Sequence, residues 1–182
     1  YLSIEEINLL RDTVKQTNDK SLYIFLELLL QTGARRFSIL TLKKKDINLS
    51  SKEVSIKNHK TNTTYKGFLQ DDLIEPLNEY LKDFKINDDI FSYNENMDYS
   101  QTGHKLLTIL DKLFNVGLAS NDRKNRVVIH TLRHTMASHL AINGTPIFTI
   151  QKLLNHSDIT QTMRYAKLSP ENGKNAIQGL YK

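Results

Sequence analysis

The chain has 182 residues, no cysteine, and 25 Lys and Arg against 20 Asp and Glu, a formal net charge of +5. That length fits one domain with a real core; the missing thiols exclude disulfides and thiolate metal sites, and no apolar run approaches the ~20 residues of a membrane span. The positive balance, with a pI near 9.3, favours an anionic partner, nucleic acid before a membrane surface. No secretory leader opens the chain, so a cytoplasmic location is expected. Tyr1 in place of Met reads as the start of a fragment.

The predicted elements begin with a capping box, Ser3 and Glu6, followed by Ile4, Ile7, Leu10 and Val14 at helical spacing, which predicts a helix over 3–17. A second helix runs through "SLYIFLELLLQ" and stops at Gly33, which can take the left-handed conformation. "RFSILTL" predicts a short helix. The period then changes: Ile47, Leu49, Val54 and Ile56 alternate with polar residues, the pattern of a two- or three-stranded antiparallel sheet. Residues 71–85 return to helix, with Pro76 expected in a first turn or at a kink. "KLLTILDKLF" is a helix ending near Gly117, and "SNDRKNRV" a basic loop. From Thr131, Leu132, Met136, Ala137, Leu140 and Ala141 share a helix face; Thr145 and Pro146 then read as N-cap and first position of another helix. Two short helices follow, around Tyr165 and over about 171–181, the latter with Ala176, Ile177 and Leu180 at helical spacing. The expected fold class is mainly α with a small antiparallel β-sheet, in a single domain over 1–182.

Three histidines and an arginine crowd into "HTLRHTMASHL". His130 and His134 have the spacing of a zinc pair, but Thr131 stands where a metalloprotease needs its Glu, and His139 lies off that face, so no metal site is expected. His130 and Arg133 at a helix start suit a phosphate instead: free N–H groups and positive potential gather there, and arginine adds bidentate contact. Arg35, just beyond Gly33, is a second such candidate.

An ordered series now stands out: "TGAR" with Arg35, a lysine in a strand–turn–strand, "HTLRH" with His130 and Arg133, "LLNH" with His156, and Tyr165 in "TMRYAKL". This series resembles the catalytic domain of the tyrosine recombinases, the phage integrase and Xer group, over nearly the whole chain. The resemblance implies attack by Tyr165 on a DNA phosphodiester, with Arg35, Arg133 and His156 stabilising the phosphorane and His130 as base or proton relay. It implies a hairpin lysine that protonates the leaving 5′-oxygen; Lys60 in "NHKTN" matches best, with Lys57 and Lys66 competing. The product is a 3′-phosphotyrosyl bond, made without metal, ATP or other cofactor. Two positions depart from the family pattern: Ser38 stands where an acidic residue usually follows the first arginine, and Asn155 replaces the glycine before His156. Asn tolerates the left-handed conformation, so that turn can survive.

DNA-contacting candidates flank these residues: Lys57 and Lys66 on the hairpin, and Arg123, Lys124 and Arg126 before His130. The run Lys43, Lys44 and Lys45 reads equally well as a solvated helix end. The resemblance implies double-stranded DNA as partner, a homotetramer on two duplexes, an accessory or partner recombinase in some systems, and a preceding DNA-clamping domain outside this fragment. Two alternatives stay open: a type IB topoisomerase-like relaxing enzyme, and a DNA-binding module of the same fold without catalysis.

Overall fold

Local capping signals set the helix boundaries. In the computed structural model, which describes residues 1–92, 94, 100–171 and 177–178, Ser3 Oγ accepts from the Glu6 N–H at 3.2 Å while a Glu6 carboxylate oxygen accepts from the Ser3 N–H at 2.8 Å. This reciprocal box starts α1, Ile4–Gln16. Asp19 caps α2, Lys20–Thr32, which ends on Gly33 at φ 60° and ψ 18°. A side chain there would meet the left-handed penalty that glycine escapes. The short α3, Arg36–Leu40, follows directly.

Contact clustering separates two compact units, Tyr1–Met136 and Ala137–Lys182. In the first, β1 (Ile47–Asn48), β2 (Glu53–Asn58) and β3 (Thr63–Phe68) form an antiparallel sheet in the order β1-β2-β3. The expected alternation is observed, with Val54, Ile56 and Asn58 buried between exposed neighbours. Helix α4, Asp71–Leu81, and α5, Gln101–Phe114, complete the layer around α2. The core is the apolar face of α1 (Leu10, Val14), nearly all of α2, the inner residues of β2, and Leu73, Leu77, Leu106 and Leu110. α2 is buried on several sides, as its unbroken apolar sequence requires. Its buried Glu27 is compensated by a two-point ion pair with Arg11, at 2.7 and 2.8 Å.

One close approach positions the later site. A Cβ on Gly67 of β3 would lie 2.7 Å from Ile56 Cδ1 and 2.8 Å from Thr32 Cγ2. Glycine thus lets β3 pass directly against the end of α2, where the Gly33–Arg35 turn begins.

Helix α6, Ile129–Ile142, starts two residues before the expected Thr131, and the division between the units falls within it. Thr131 Oγ1 instead reaches back to the Val128 N–H at 3.0 Å and satisfies a first-turn donor. In the second unit, α7 is Ile147–Leu153 and α8 is Thr160–Met163, with a 3₁₀ turn at Ala166–Leu168. Three boundaries correct the sequence expectation. α4 ends at Leu81 rather than near 85, because the chain turns there and Phe84 N–H donates to the Leu81 carbonyl. Pro76 lies inside α4, past the first turn, so of the two places expected for it the first turn is excluded. Pro146, at φ −56° and ψ 138°, is the N-cap of α7 rather than its first residue. Its carbonyl accepts from Thr149 and Ile150, a capping role that needs no N–H. The expected tail helix falls mostly outside the described residues, Ala176 and Leu180 included.

Candidate DNA-phosphate site

In the first unit, the "TGAR" turn and α6 meet through a hydrogen bond. Arg133 Nη1 donates to the Gly33 carbonyl at 2.7 Å, and Arg133 is only 2% exposed. The carbonyls at the end of α2 lack helical partners and carry partial negative charge, so a cation suits them. Arg35 follows as the N-cap residue of α3, extended at φ −71° and ψ 146° and half-buried.

Tyr65, a residue the sequence did not single out, lies within the field of both arginines. It lies on β3 opposite Ile56 and packs against the core. Its phenol feels the charge of both Arg133 and Arg35. Burial pushes the phenol pKa up and outweighs both arginines, so the group stays neutral. One signal could have found it: extending the Ile56 alternation across an antiparallel hairpin places an inward residue at position 65.

The hairpin that carries Lys60 is fastened to α3 and to Thr41, which caps that helix. Ser38 Oγ donates to the Lys57 carbonyl at 2.7 Å, the His59 ring packs edge-on to Phe37 with centroids 4.3 Å apart, and His59 Nε2 lies 2.9 Å from Thr41 Oγ1. Ser38, the departure from the family pattern, thus ties α3 to β2. Lys60 itself is exposed on the turn, and its N–H donates to Asn58 Oδ1 at 3.2 Å. His130 is exposed in the first turn of α6, its ring edge-to-face with His134 at 4.8 Å. Asn115 holds the approach to this helix by pairing with both N–H and carbonyl of Val127, at 2.7 and 2.8 Å.

The second unit holds His156 and Tyr165, linked through Thr162. The fully buried Thr162 places its hydroxyl 2.8 Å from His156 Nδ1, and its carbonyl accepts from the Tyr165 N–H at 2.9 Å. Tyr165 is buried, at 4% exposure. Asn155 adopts φ 49°, the left-handed turn expected of it, and its Nδ2 is buried without a hydrogen-bond partner.

The outer cations divide. Lys57, Arg123 and Lys124 are exposed. Lys66 pairs with Glu53 at 2.8 Å, and Arg126 with Asp111 at 2.5 Å. The lysine run is engaged by its own unit: Lys43 Nζ holds Asp89 at 2.8 Å and Lys44 Nζ the Phe84 carbonyl at 2.7 Å.

Arg35, Arg133, His130 and the Lys60 hairpin therefore belong to the first unit, and His156 and Tyr165 to the second. A buried and a half-buried guanidinium can donate to the oxygens of a phosphodiester, and a phenol and an imidazole tied to one threonine can supply a nucleophile and a donor.

Comparison with known proteins agrees in fold and family. The model of the phage integrase family matches residues 1–172. The tyrosine recombinase XerA of Saccharolobus solfataricus is 30% identical over 175 residues, which cover 95% of this chain and 54% of that protein. Among solved structures, the catalytic domain of bacteriophage HP1 integrase superposes with a TM-score of 0.73 at 21% identity, over 99% of this chain and 94% of that one. XerH recombinase bound to its difH substrate gives a TM-score of 0.71 at 20% identity, over 100% of this chain and 53% of that one. The chain spans about half the length of the curated relatives it matches, 54% of the XerA recombinase and 56% of a staphylococcal XerC.

Proposed function

This chain belongs to the phage integrase family, the tyrosine recombinases, and we propose that it is the catalytic part of a site-specific DNA recombinase working through a 3′-phosphotyrosyl intermediate. The observation that carries this reading is Arg133: a nearly inaccessible cation fixed by the carbonyl of Gly33, two residues before Arg35, an arrangement with an evident use once a phosphate arrives. In the proposed reaction the Tyr165 oxygen attacks the phosphorus, and its proton passes to His130. The bond to the 5′-oxygen breaks, and that oxygen takes a proton from Lys60. Arg35, Arg133 and His156 compensate the charge that builds on the non-bridging oxygens. Attack by another strand's 5′-hydroxyl on the phosphotyrosine then restores a diester, so no metal or nucleotide cofactor is needed. Lys57, Lys66, Arg123, Lys124 and Arg126 are proposed to contact the DNA backbone; Lys66 and Arg126 would exchange their present carboxylate partners for phosphates.

The proposed partner is double-stranded DNA, with four protomers on two duplexes during exchange, in the cytoplasm. The test incubates the full-length protein with nicked suicide duplexes drawn from its host genome. A covalent DNA–protein band lost in Tyr165→Phe, with DNA affinity unchanged, is the expected result. Adducts with supercoil relaxation but no strand exchange would favour the topoisomerase-like reading. Binding without any adduct would favour a non-catalytic module.

A further inference from the structure

We infer that His59 is a positioning residue for Lys60, a latch that seats the turn of the β2–β3 hairpin on α3. The inference rests on the recombinase reading and on Lys60 as the acid. The last ladder pair of the hairpin is Asn58 with Thr63, so His59, Lys60, Thr61 and Asn62 form the turn, and all four are exposed. An exposed turn has no core to hold it, and a lysine ammonium rides on a flexible four-carbon stem. Proton delivery to one oxygen therefore depends on where the backbone of Lys60 is anchored.

The residues just before Lys60 supply the anchors. Ser38 Oγ donates to the Lys57 carbonyl at 2.7 Å, and the buried Asn58 turns its Oδ1 to the Lys60 N–H at 3.2 Å. His59 makes the link nearest to Lys60. Its ring meets Phe37 edge-on with centroids 4.3 Å apart, and its Nε2 lies 2.9 Å from Thr41 Oγ1. The Thr41 hydroxyl has one proton and lies 3.0 Å from the Phe37 carbonyl, which can only accept. That proton goes to the carbonyl, so His59 Nε2 donates to Thr41. Phe37 belongs to the helix that Arg35 begins as its N-cap, and Thr41 closes the same helix. The latch thus ties the turn that carries the proposed acid to the segment that carries an arginine assigned to the phosphate.

The experiment uses the full-length chain and the duplex trapped by the wild type in the adduct assay, with oxygen or sulfur as the 5′-bridging atom. Sulfur leaves without a proton, so only the oxygen substrate needs Lys60. His59→Phe keeps a ring against Phe37 and removes the donor. It is expected to slow single-turnover cleavage of the oxygen substrate about fivefold, the effect of one net hydrogen bond, and of the sulfur substrate less than about twofold. The ratio of the two rates is taken within one preparation, so a misfolded fraction cancels. His59→Gln, which keeps an N–H donor, is expected to recover most of the oxygen rate. Thr41→Val is expected to match the loss of His59→Phe and to add nothing to it in the double variant. Equal slowing of both substrates, an oxygen rate equal to wild type, a Gln variant no faster than the Phe variant, or additive losses would overturn the assignment. Amide exchange without DNA separates the latch from the functional reading: exchange over residues 58–62 should be faster in His59→Phe than in wild type. Absence of any wild-type adduct refutes the recombinase reading, and a Lys60→Ala variant that sulfur does not rescue refutes Lys60 as the acid, whereas unchanged exchange refutes the latch.

Discussion

Arg133 and Gly33 are joined by a 2.7 Å hydrogen bond across 100 residues of sequence, and the bond is buried. A charge so placed is tolerated because a helix-terminal carbonyl receives one of its N–H groups. Arg133→Ala removes a donor preorganised for developing charge, and is expected to slow cleavage on the order of a hundredfold or more. It also orphans the Gly33 carbonyl, at a cost of about 1–3 kcal/mol in urea unfolding. An unchanged single-turnover rate would exclude Arg133 from the phosphate.

Thr162 joins the imidazole of His156 to the backbone of Tyr165. Thr162→Val keeps the volume and removes the hydroxyl, so His156 loses its anchor. Cleavage is expected to fall about tenfold, the usual effect of one hydrogen bond to a group that becomes charged, while gel-shift affinity holds. A variant that cleaves at the wild-type rate would show that His156 needs no such support.

Lys60 is assigned the proton for the 5′-oxygen. Replacing that oxygen by sulfur gives a leaving group that needs no proton, because a thiol is far more acidic than an alcohol. Lys60→Ala is therefore expected to cleave ordinary DNA on the order of a hundredfold slower or worse and the 5′-bridging thio-substrate at nearly the wild-type rate. Rescue of Lys57→Ala or Lys66→Ala in place of Lys60→Ala would move the role to that residue.

Asp19 caps α2 and pairs with Lys105 at 2.6 Å. Burial pushes its carboxyl pKa up, but the Lys105 ammonium and the Leu22 and Ser21 N–H groups overcome this and hold it below the ordinary 3.8. With the folded value below the unfolded one, its contribution is complete above the unfolded value and is lost as pH falls through the folded value. Asp19→Ala is expected to destabilise by about 1 kcal/mol at neutral pH, as for other lost N-caps. Chemical unfolding at several pH values should show that gap closing in acid; a gap independent of pH would mean that packing, not charge, is at stake.

Local chemistry made much of the fold legible. The Ser3–Glu6 box, the Gly33 stop and the β2 alternation each depend on residues within one or two turns of one another, and each is observed. The positions of Arg35, His130, Arg133, His156 and Tyr165 on turns and helices could likewise be read from short motifs. What a linear pattern cannot carry is the pairing of distant surfaces. Gly67 brings β3 against the end of α2 only because the two meet in space, and Thr162 matters only because its hydroxyl meets an imidazole from another turn. Pro76 does not sit in a first turn for a similar reason: helix propensity disfavours an interior proline, whereas the packing of Leu73, Leu77 and Leu81 carries the helix past it.

The 100-residue span between Gly33 and Arg133 also has a consequence in time. A ribosome adding about 5–20 residues per second needs roughly 5–20 s to travel between them. During that interval α2, its glycine stop and the hairpin have been synthesised, and they can pack with one another. The arginine that closes the arrangement does not yet exist. Nascent chains therefore carry Arg35 without its companion, and a message truncated anywhere before the Arg133 codon yields a product that can never assemble the pair.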